Sequence, residues 1–581
     1  MNIPLKTYID LLSRYLKPQR GRGIGLALLL LTGVGLQLLS PQVIRRFIDI
    51  AQEGGTLSAL LTAGAIFIGL VLVQRGFAIA TTYVGQTVAW TATDELRADV
   101  TQHVLRLDMG FHNTHTPGEL LERIDGDIDR LANFFSEFLL QILTGTLLAI
   151  GVMVLLFFED WRVGLMIGFF AAVYVVVHTK GQQMTGPHWQ TERERVAEMM
   201  GFVEERVAGI KDIQTSGAVD YTMRRFYDVQ RRRIWQAFKA DAYTDVAWTI
   251  SKTFYEIGTV AGMAFGAYLF FQGSITIGTV YLIIHYLGMM NEPLNRIGRQ
   301  LEDLQRIRVS IERTKDLVDT QPRVVDGPGA TLSNQALTVK FDTVSFAYSV
   351  ENPVLQQVSF ELPAGQVLGL LGRTGSGKTT LSRLIFRLYN LDTGQIYLDE
   401  VPIQQPTLAA LRARIGLVTQ EVQLFQASLR DNLSLFDPVI TDEQIMAGLD
   451  TLGLQSWYEG LPDGLDTMLA ADGQGLSAGE GQLLALTRVF LKDPGLVILD
   501  EASSRLDPAT EQLLEKAMDR LLANRTAIII AHRLTTVQRA DQILILESGQ
   551  IKEYGAHQAL LERPDSVFAN LLKTGLEEVL V

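Results

Sequence analysis

Gly372-Arg373-Thr374-Gly375-Ser376-Gly377-Lys378-Thr379 is a complete G-x-x-x-x-G-K-[ST] stretch. It follows the apolar run Val367-Leu368-Gly369-Leu370-Leu371 and leads into Leu381-Ser382-Arg383-Leu384-Ile385, whose pattern is helical. Strand, glycine-rich loop and helix in this order are the setting in which such a loop holds phosphate. The glycines let main-chain N–H groups close around the phosphates, and the new helix turns its positive end towards them. Lys378 would reach the β- and γ-phosphates of a nucleotide, and the Thr379 hydroxyl would ligate Mg²⁺.

Downstream, Val497-Ile498-Leu499-Asp500-Glu501 reads as a buried strand ending in two acids. Asp500 at the strand end would hold Mg²⁺, directly or through water. Glu501 would polarise the attacking water. His532 ends another apolar run, Ile528-Ile529-Ile530-Ala531, and could contact the γ-phosphate; Gln420 follows Gly416-Leu417-Val418-Thr419 in the same way. Polar groups at several strand ends beside a phosphate loop fit the crevice of a parallel α/β sheet. Tyr348, upstream of the loop, could stack on adenine, although an isolated aromatic there is more often core or strand surface.

The first half of the chain has a different character. A spanning helix needs about 20 mostly apolar residues. Six stretches qualify as candidates: 23–48, 57–80, 137–158, 163–178, 250–271 and 277–293. The fourth is short and its helix is expected to continue through 179–184. Residues 4–16 read as a short amphipathic helix. Segment 179–245 is rich in Arg and Lys, and 91–132 adds Arg97, Arg106, Arg123 and Arg130; the connections 49–56, 159–162 and 272–276 hold only Arg162. This asymmetry puts the two long segments and the N-terminus in the cytoplasm. Arg45 and Arg46, at the outer end of the first span, weaken the pattern. Segments 91–111 and 192–207 read as helical extensions reaching tens of ångströms beyond the bilayer. Bends at 112–118 and 215–218 are expected to touch the second domain. Of the polar residues near the spans, Arg75, Lys252, Glu256, His285 and Asn291, the better candidates to face a cavity are Glu256 and His285.

Composition agrees with a membrane protein. The chain of 581 residues is 47% hydrophobic, and its mean hydropathy is positive. A formal net charge of -13 argues against a nucleic-acid partner. The chain has no cysteine, which removes disulfides and Cys-ligated zinc. No secretory signal is evident, since the first apolar run starts late and lacks a clear cleavage site.

The ordered motifs resemble those of the ABC transporter ATPase domain, and the six-span half resembles the exporter type of membrane domain. Nearly the whole chain is covered. The resemblance implies a multi-domain membrane protein: an all-α transmembrane domain over 1–318, a linker over 319–335, and an α/β P-loop ATPase domain over 336–581 with a helical subdomain near 441–491. It makes Gly372, Arg373, Thr374, Gly375, Ser376, Gly377, Lys378, Thr379 and Thr380 the nucleotide loop, with Tyr348 at adenine. It assigns Gln420 to γ-phosphate and metal, Asp500 to the metal, Glu501 to catalysis and His532 to the switch role. Ser504-Arg505-Leu506-Asp507 resembles the D-loop, and the two bends resemble coupling helices.

Leu476-Ser477-Ala478-Gly479-Glu480 resembles the signature motif, which in this family closes the nucleotide of a partner chain. Ser477 and Gly479 would then offer donors to a γ-phosphate. The usual pattern is L-S-G-G-Q, so Ala478 and Glu480 depart from it. Many exporters also have an acid where Ala471 stands. An altered signature beside an intact Glu501 and His532 is the pattern of one chain of an asymmetric heterodimer; a homodimer with a tolerated variant is the alternative. The resemblance implies ATP-driven export of an amphipathic small molecule, lipid or peptide, with ATP and Mg²⁺, from a bacterial inner membrane. The alternatives are an importer of exporter fold, as for a metal chelate, and an ATP-gated channel or regulatory subunit. The spans argue against a soluble ATPase of DNA repair.

Overall fold

The computed structural model describes residues 13–134, 136, 140–349, 352–420, 422–470, 476–500, 508–531 and 534–574. The chain forms two compact units, one of residues 1–105 and 117–320, the other of residues 106–116 and 321–581.

The first unit is helical. Its long helices are α1 (Arg20–Gln52), α2 (Leu57–Arg106), α5 (Leu140–Glu159), α6 (Trp161–Ala208), α8 (Val219–Phe271) and α9 (Ile277–Asp319). Two short helices, α3 (Met109–Thr114) and α4 (Asp127–Asn133), follow α2, and α7 (Ile210–Thr215) separates α6 from α8. The predicted spans and extensions are therefore continuous rods, because no helix-breaking pair lies between 80 and 91 or between 178 and 192. Pro187 sits inside α6 without ending it. Of the expected helix at 4–16, only 13–16 fall among the described residues, and they are helical.

Side-chain caps start two of the rods. Asp160 accepts from Arg162 N at 2.8 Å ahead of α6. Thr276 accepts from Thr279 N at 3.2 Å ahead of α9. Both remove an unsatisfied donor from a helix start. The bundle core joins Val152 and Leu156 of α5, Ile167 and Tyr174 of α6, Tyr255 and Leu269 of α8, and Leu282 and Tyr286 of α9. Gly258 allows α8 to approach α6, since a Cβ there would sit 1.9 Å from Phe170 Cε2.

Among the described residues, five helices are long and apolar enough to cross a membrane: Ser13–Gln52, Leu57–Arg106, Leu140–Glu159, Trp161–Ala208 and Val219–Phe271. The sixth predicted span, 277–293, is helical but less apolar, because His285, Asn291 and Glu292 interrupt it. Its burial explains why it can be: Leu282, Ile283, Tyr286 and Leu287 are all inside the bundle. Arg45 also finds its explanation. It pairs with Glu159 at the end of α5 and lies 3.8 Å from Asp49, so its charge is balanced at the outer end.

The second unit is built on two sheets. The mixed six-stranded sheet runs β10-β9-β3-β8-β7-β6 and the antiparallel one β2-β1-β4-β5. Their strands are β1 (Val339–Ser349), β2 (Asn352–Leu362), β3 (Val367–Leu371), β4 (Thr393–Leu398), β5 (Val401–Pro402), β6 (Ile415–Val418), β7 (Leu496–Asp500), β8 (Thr526–Ile530), β9 (Gln542–Glu547) and β10 (Gln550–Ala556). β3 pairs in parallel with both β8 and β9, and β7 with both β6 and β8. Strands buried on both faces need apolar runs without alternation. Thr526–Ile530 and Leu496–Leu499 show this, with every residue buried. Helix α10 (Lys378–Ile385) follows β3. A helical layer over 429–492 includes α11 (Leu429–Ser434), α12 (Asp442–Thr451) and α13 (Ala478–Lys492).

Candidate nucleotide site

The loop after β3 is held open by its glycines. Gly372, Gly375 and Gly377 have φ of 150°, 84° and 106°. At Gly377 a Cβ would also meet Leu355 Cδ2 at 2.7 Å, and at Gly372 it would meet Leu546 O at 2.3 Å. Only glycine fits both the backbone and the space at these two points. Gly377 forms the N-cap position of α10, so the loop delivers its N–H groups at a helix start.

Lys378 is 5% exposed. Its Nζ donates to Gly372 O at 2.5 Å and to Arg373 O at 3.1 Å, so the ammonium is held within the ring of the loop. Ser376 Oγ is buried in the same ring with no hydrogen-bond partner among the described residues. A buried hydroxyl without a partner is costly unless a ligand completes it. Cation, helix start and open hydroxyl together fit a polyphosphate.

Register places the other strand-end residues along one edge. Leu370 of β3 lies opposite Ile530 of β8, Ile530 opposite Asp500 of β7, and Leu499 opposite Val418 of β6. Asp500 is thus the last residue of its strand, and Gln420 stands just beyond β6. The Thr379 hydroxyl, the Asp500 carboxylate and the Gln420 side-chain carbonyl are oxygen donors, the set that suits Mg²⁺ together with phosphate oxygens. Glu501, His532, residues 504–507 and Ala471 lie outside the described residues.

Tyr348 stands on β1, 43% exposed, with its ring edge-on to Phe346 and to Tyr389 at 5.0 and 5.1 Å. Its hydroxyl lies 3.1 Å from Thr380 Oγ1 and accepts from Arg383 Nη1 at 3.1 Å. The aromatic beside the loop is therefore anchored to α10 itself. Tyr389 was not legible as a site residue, yet it extends this network. Its hydroxyl accepts from Asn113 Nδ2 of α3 at 2.6 Å, within the same unit. The first bend is fixed further by Asp108, which caps α3 through Phe111 N and accepts from Arg323 N at 2.6 Å. Thus α3, Tyr389, Tyr348 and Thr380 form a contiguous path ending next to Thr379. Tyr389→Phe removes one buried hydrogen bond, about 1 kcal/mol. Hydrogen exchange over 109–114 is expected to speed up several-fold while that of β3 stays unchanged. Equal rates in both proteins would show that the bond does not hold α3.

The signature-like stretch forms the start of α13. Ser477 Oγ accepts from Glu480 N at 3.2 Å, and Glu480 Oε2 accepts from Ser477 N at 2.6 Å, a reciprocal capping box. The departure from the usual Gln is thus placed: the carboxylate caps its own helix. Deeper in α13, Arg488 donates to Asn432 O at 2.6 Å and to Gln423 O at 2.8 Å. Burial lowers its guanidinium pKa below the ordinary arginine value. Asn432, fully buried, binds Phe425 N and O, each at 2.9 Å. The segment following Gln420 is in this way tied to the helix that carries Ser477.

Of the two polar candidates for a cavity in the first unit, neither Glu256 nor His285 lines the cavity of about 510 Å³ found there; Glu292 does. Lys252 instead lies over the Trp248 ring at 4.8 Å.

Residues 23–294 match the family model of the ABC transporter transmembrane region, and residues 355–504 match that of the ABC transporter. The chain is 31% identical to the ABC transporter ATP-binding protein YknV of Bacillus subtilis (strain 168), over 96% of this chain and 93% of the relative. It is 30% identical to the ATP-dependent lipid A-core flippase of Shewanella oneidensis, over 87% of this chain and 84% of that protein. A solved bacterial Atm1-family ABC exporter with ATP bound superposes with a TM-score of 0.80 at 25% identity, covering 96% of this chain and 98% of that one. The chain belongs to the ABC transporter family, as an exporter-type half-transporter in which a membrane domain and a transport ATPase are fused.

Proposed function

We propose that this chain is one half of a heterodimeric pump that exports an amphipathic small molecule, lipid or peptide across a bacterial inner membrane, with its N-terminus and ATPase domain cytoplasmic. The membrane domain would take 1–318, the linker 319–335 and the ATPase domain 336–581. One observation carries the reading: the membrane-length helices and the nucleotide loop belong to one chain, and one bend of the helical half, 106–116, is packed in the ATPase unit. The flippase and exporter similarities support export, and the flippase's name supports a lipid-like cargo for this chain.

Lys378 would release its loop carbonyls to neutralise the β- and γ-phosphates, while Ser376 and the α10 start donate to them. Thr379, Asp500 and Gln420 would hold Mg²⁺, which supplies charge neutralisation on the transferred phosphoryl oxygens. Glu501 would take the proton of the attacking water, and His532 would hold the γ-phosphate in line. Tyr348 would pack against adenine, and closure would pass to the spans through α3. Ser477 and Gly479 would face the nucleotide of the partner chain. Self-capping by Glu480 supports the heterodimer, since it leaves that donor set partly spent within its own helix.

Inside-out vesicles carrying the co-expressed pair test the reading. ATP-dependent accumulation of cargo, abolished by Glu501→Gln, is the expected result. Depletion would mean import, and conductance surviving Glu501→Gln would mean a gated channel.

A further inference from the structure

The cavity of about 510 Å³ in the helical unit lies between α1, α2, α5 and α9. Its volume is that of a small-molecule site. Four glutamines line it: Gln37 of α1, Gln74 and Gln86 of α2, and Gln141 of α5. Among the described residues, none of these four side-chain amides is hydrogen-bonded to another residue. Amides at membrane depth must find partners in a cavity, because the surrounding hydrocarbon offers none. Gln74 and Gln86 are twelve positions apart on one helix, about 18 Å, so the cavity is elongated. Leu30 and Leu148 supply apolar wall beside the amides. The remaining charged group is Glu292 of α9, and no Lys or Arg lines the cavity among the described residues.

Resting on the export reading above, we propose that this cavity binds an amphiphile with an uncharged, polyhydroxylated headgroup. Each amide offers both donors and an acceptor, which matches a set of hydroxyls. A carboxylate such as Glu292 accepts from hydroxyls equally well. An anionic head would instead meet Glu292 with no cation to offset it. A quaternary cation could pair with Glu292 but would leave the amides without partners, and a site built for hydrogen bonds rejects a ligand that cannot return them.

The test uses one alkyl tail with three heads. Wild-type protein in nanodiscs is titrated with dodecyl maltoside, dodecanoate and dodecyltrimethylammonium, each below its micellar concentration, and binding is read by scintillation proximity with labelled probes. The maltoside is expected to bind about tenfold tighter than either ion. Gln74→Leu and Gln141→Leu, made separately, are each expected to weaken it about fivefold and to leave dodecanoate unchanged. Equal or tighter binding of either ion overturns the proposal. So does unchanged maltoside affinity in whichever glutamine variant keeps the wild-type melting temperature. The pump reading is scored separately, by whether ATP turnover of the co-expressed pair depends on Glu501. A turnover that depends on it, with no maltoside preference, sinks this proposal alone.

Discussion

Lys378→Ala is expected to lower ATP turnover of the assembled transporter by roughly a hundredfold or more, the range seen when one preorganised charge donor is lost from a transition state. The geometry says why the loss is large. The ammonium is buried at 5% exposure and is positioned by two main-chain carbonyls of its own loop. It has no rotamer search to complete when phosphate arrives, and the low local polarity strengthens its field. The same bonds give Lys378 a structural share. Removing it leaves the carbonyls of Gly372 and Arg373 without this donor, about 1–2 kcal/mol. A parallel melting experiment separates the two roles. Turnover should collapse while the melting temperature falls by a few degrees at most. A variant that hydrolyses ATP at more than a tenth of the wild-type rate would show that the loop N–H groups and Ser376 carry the phosphate without it.

Much of this site was legible because its chemistry is local. The loop 372–379 lies between a strand and a helix whose apolar patterns announce themselves, and Asp500 and Gln420 stand at or just beyond the ends of apolar runs. The parallel register then follows from burial on both faces, as in Thr526–Ile530. The helical half was legible by length and apolarity, but not its sixth member. Residues 277–293 carry His285, Asn291 and Glu292, and their helix is sheltered by its neighbours, which no count along the chain reveals. Tyr389 was missed for a related reason. Its partners, Asn113 and Tyr348, lie 276 and 41 positions away in the chain, and an aromatic after a helix has no pattern of its own. Glu292 was passed over for Glu256 and His285, because polarity in a span does not say which way the side chain faces.

Glu480→Gln is expected to raise the ATP turnover of this chain purified alone by roughly tenfold. Two effects point the same way. Glu480 Oε2 holds Ser477 N at 2.6 Å, a charge-assisted bond about twice as strong as one to an amide oxygen. The variant still caps α13 through its neutral carbonyl, but frees the Ser477 N–H for phosphate at lower cost. It also removes a carboxylate from the neighbourhood of a polyphosphate. One like-charge pair at ~8 Å with an effective dielectric of ~20 costs about 2 kcal/mol before screening. Screening halves this to about 1 kcal/mol, and with the weaker cap the total reaches a factor of about ten. The gain should require Glu501, so Glu480→Gln combined with Glu501→Gln should be silent. This chain carries its own phosphate loop, Asp500 and Glu501. Repair of the signature would then let two copies complete both sites, turning an obligate heterodimer subunit towards self-sufficiency. Wild-type chain that already turns over rapidly alone would favour the homodimer instead. A variant that stays silent while binding ATP normally would place the block outside the start of α13, in the surfaces by which two chains recognise each other.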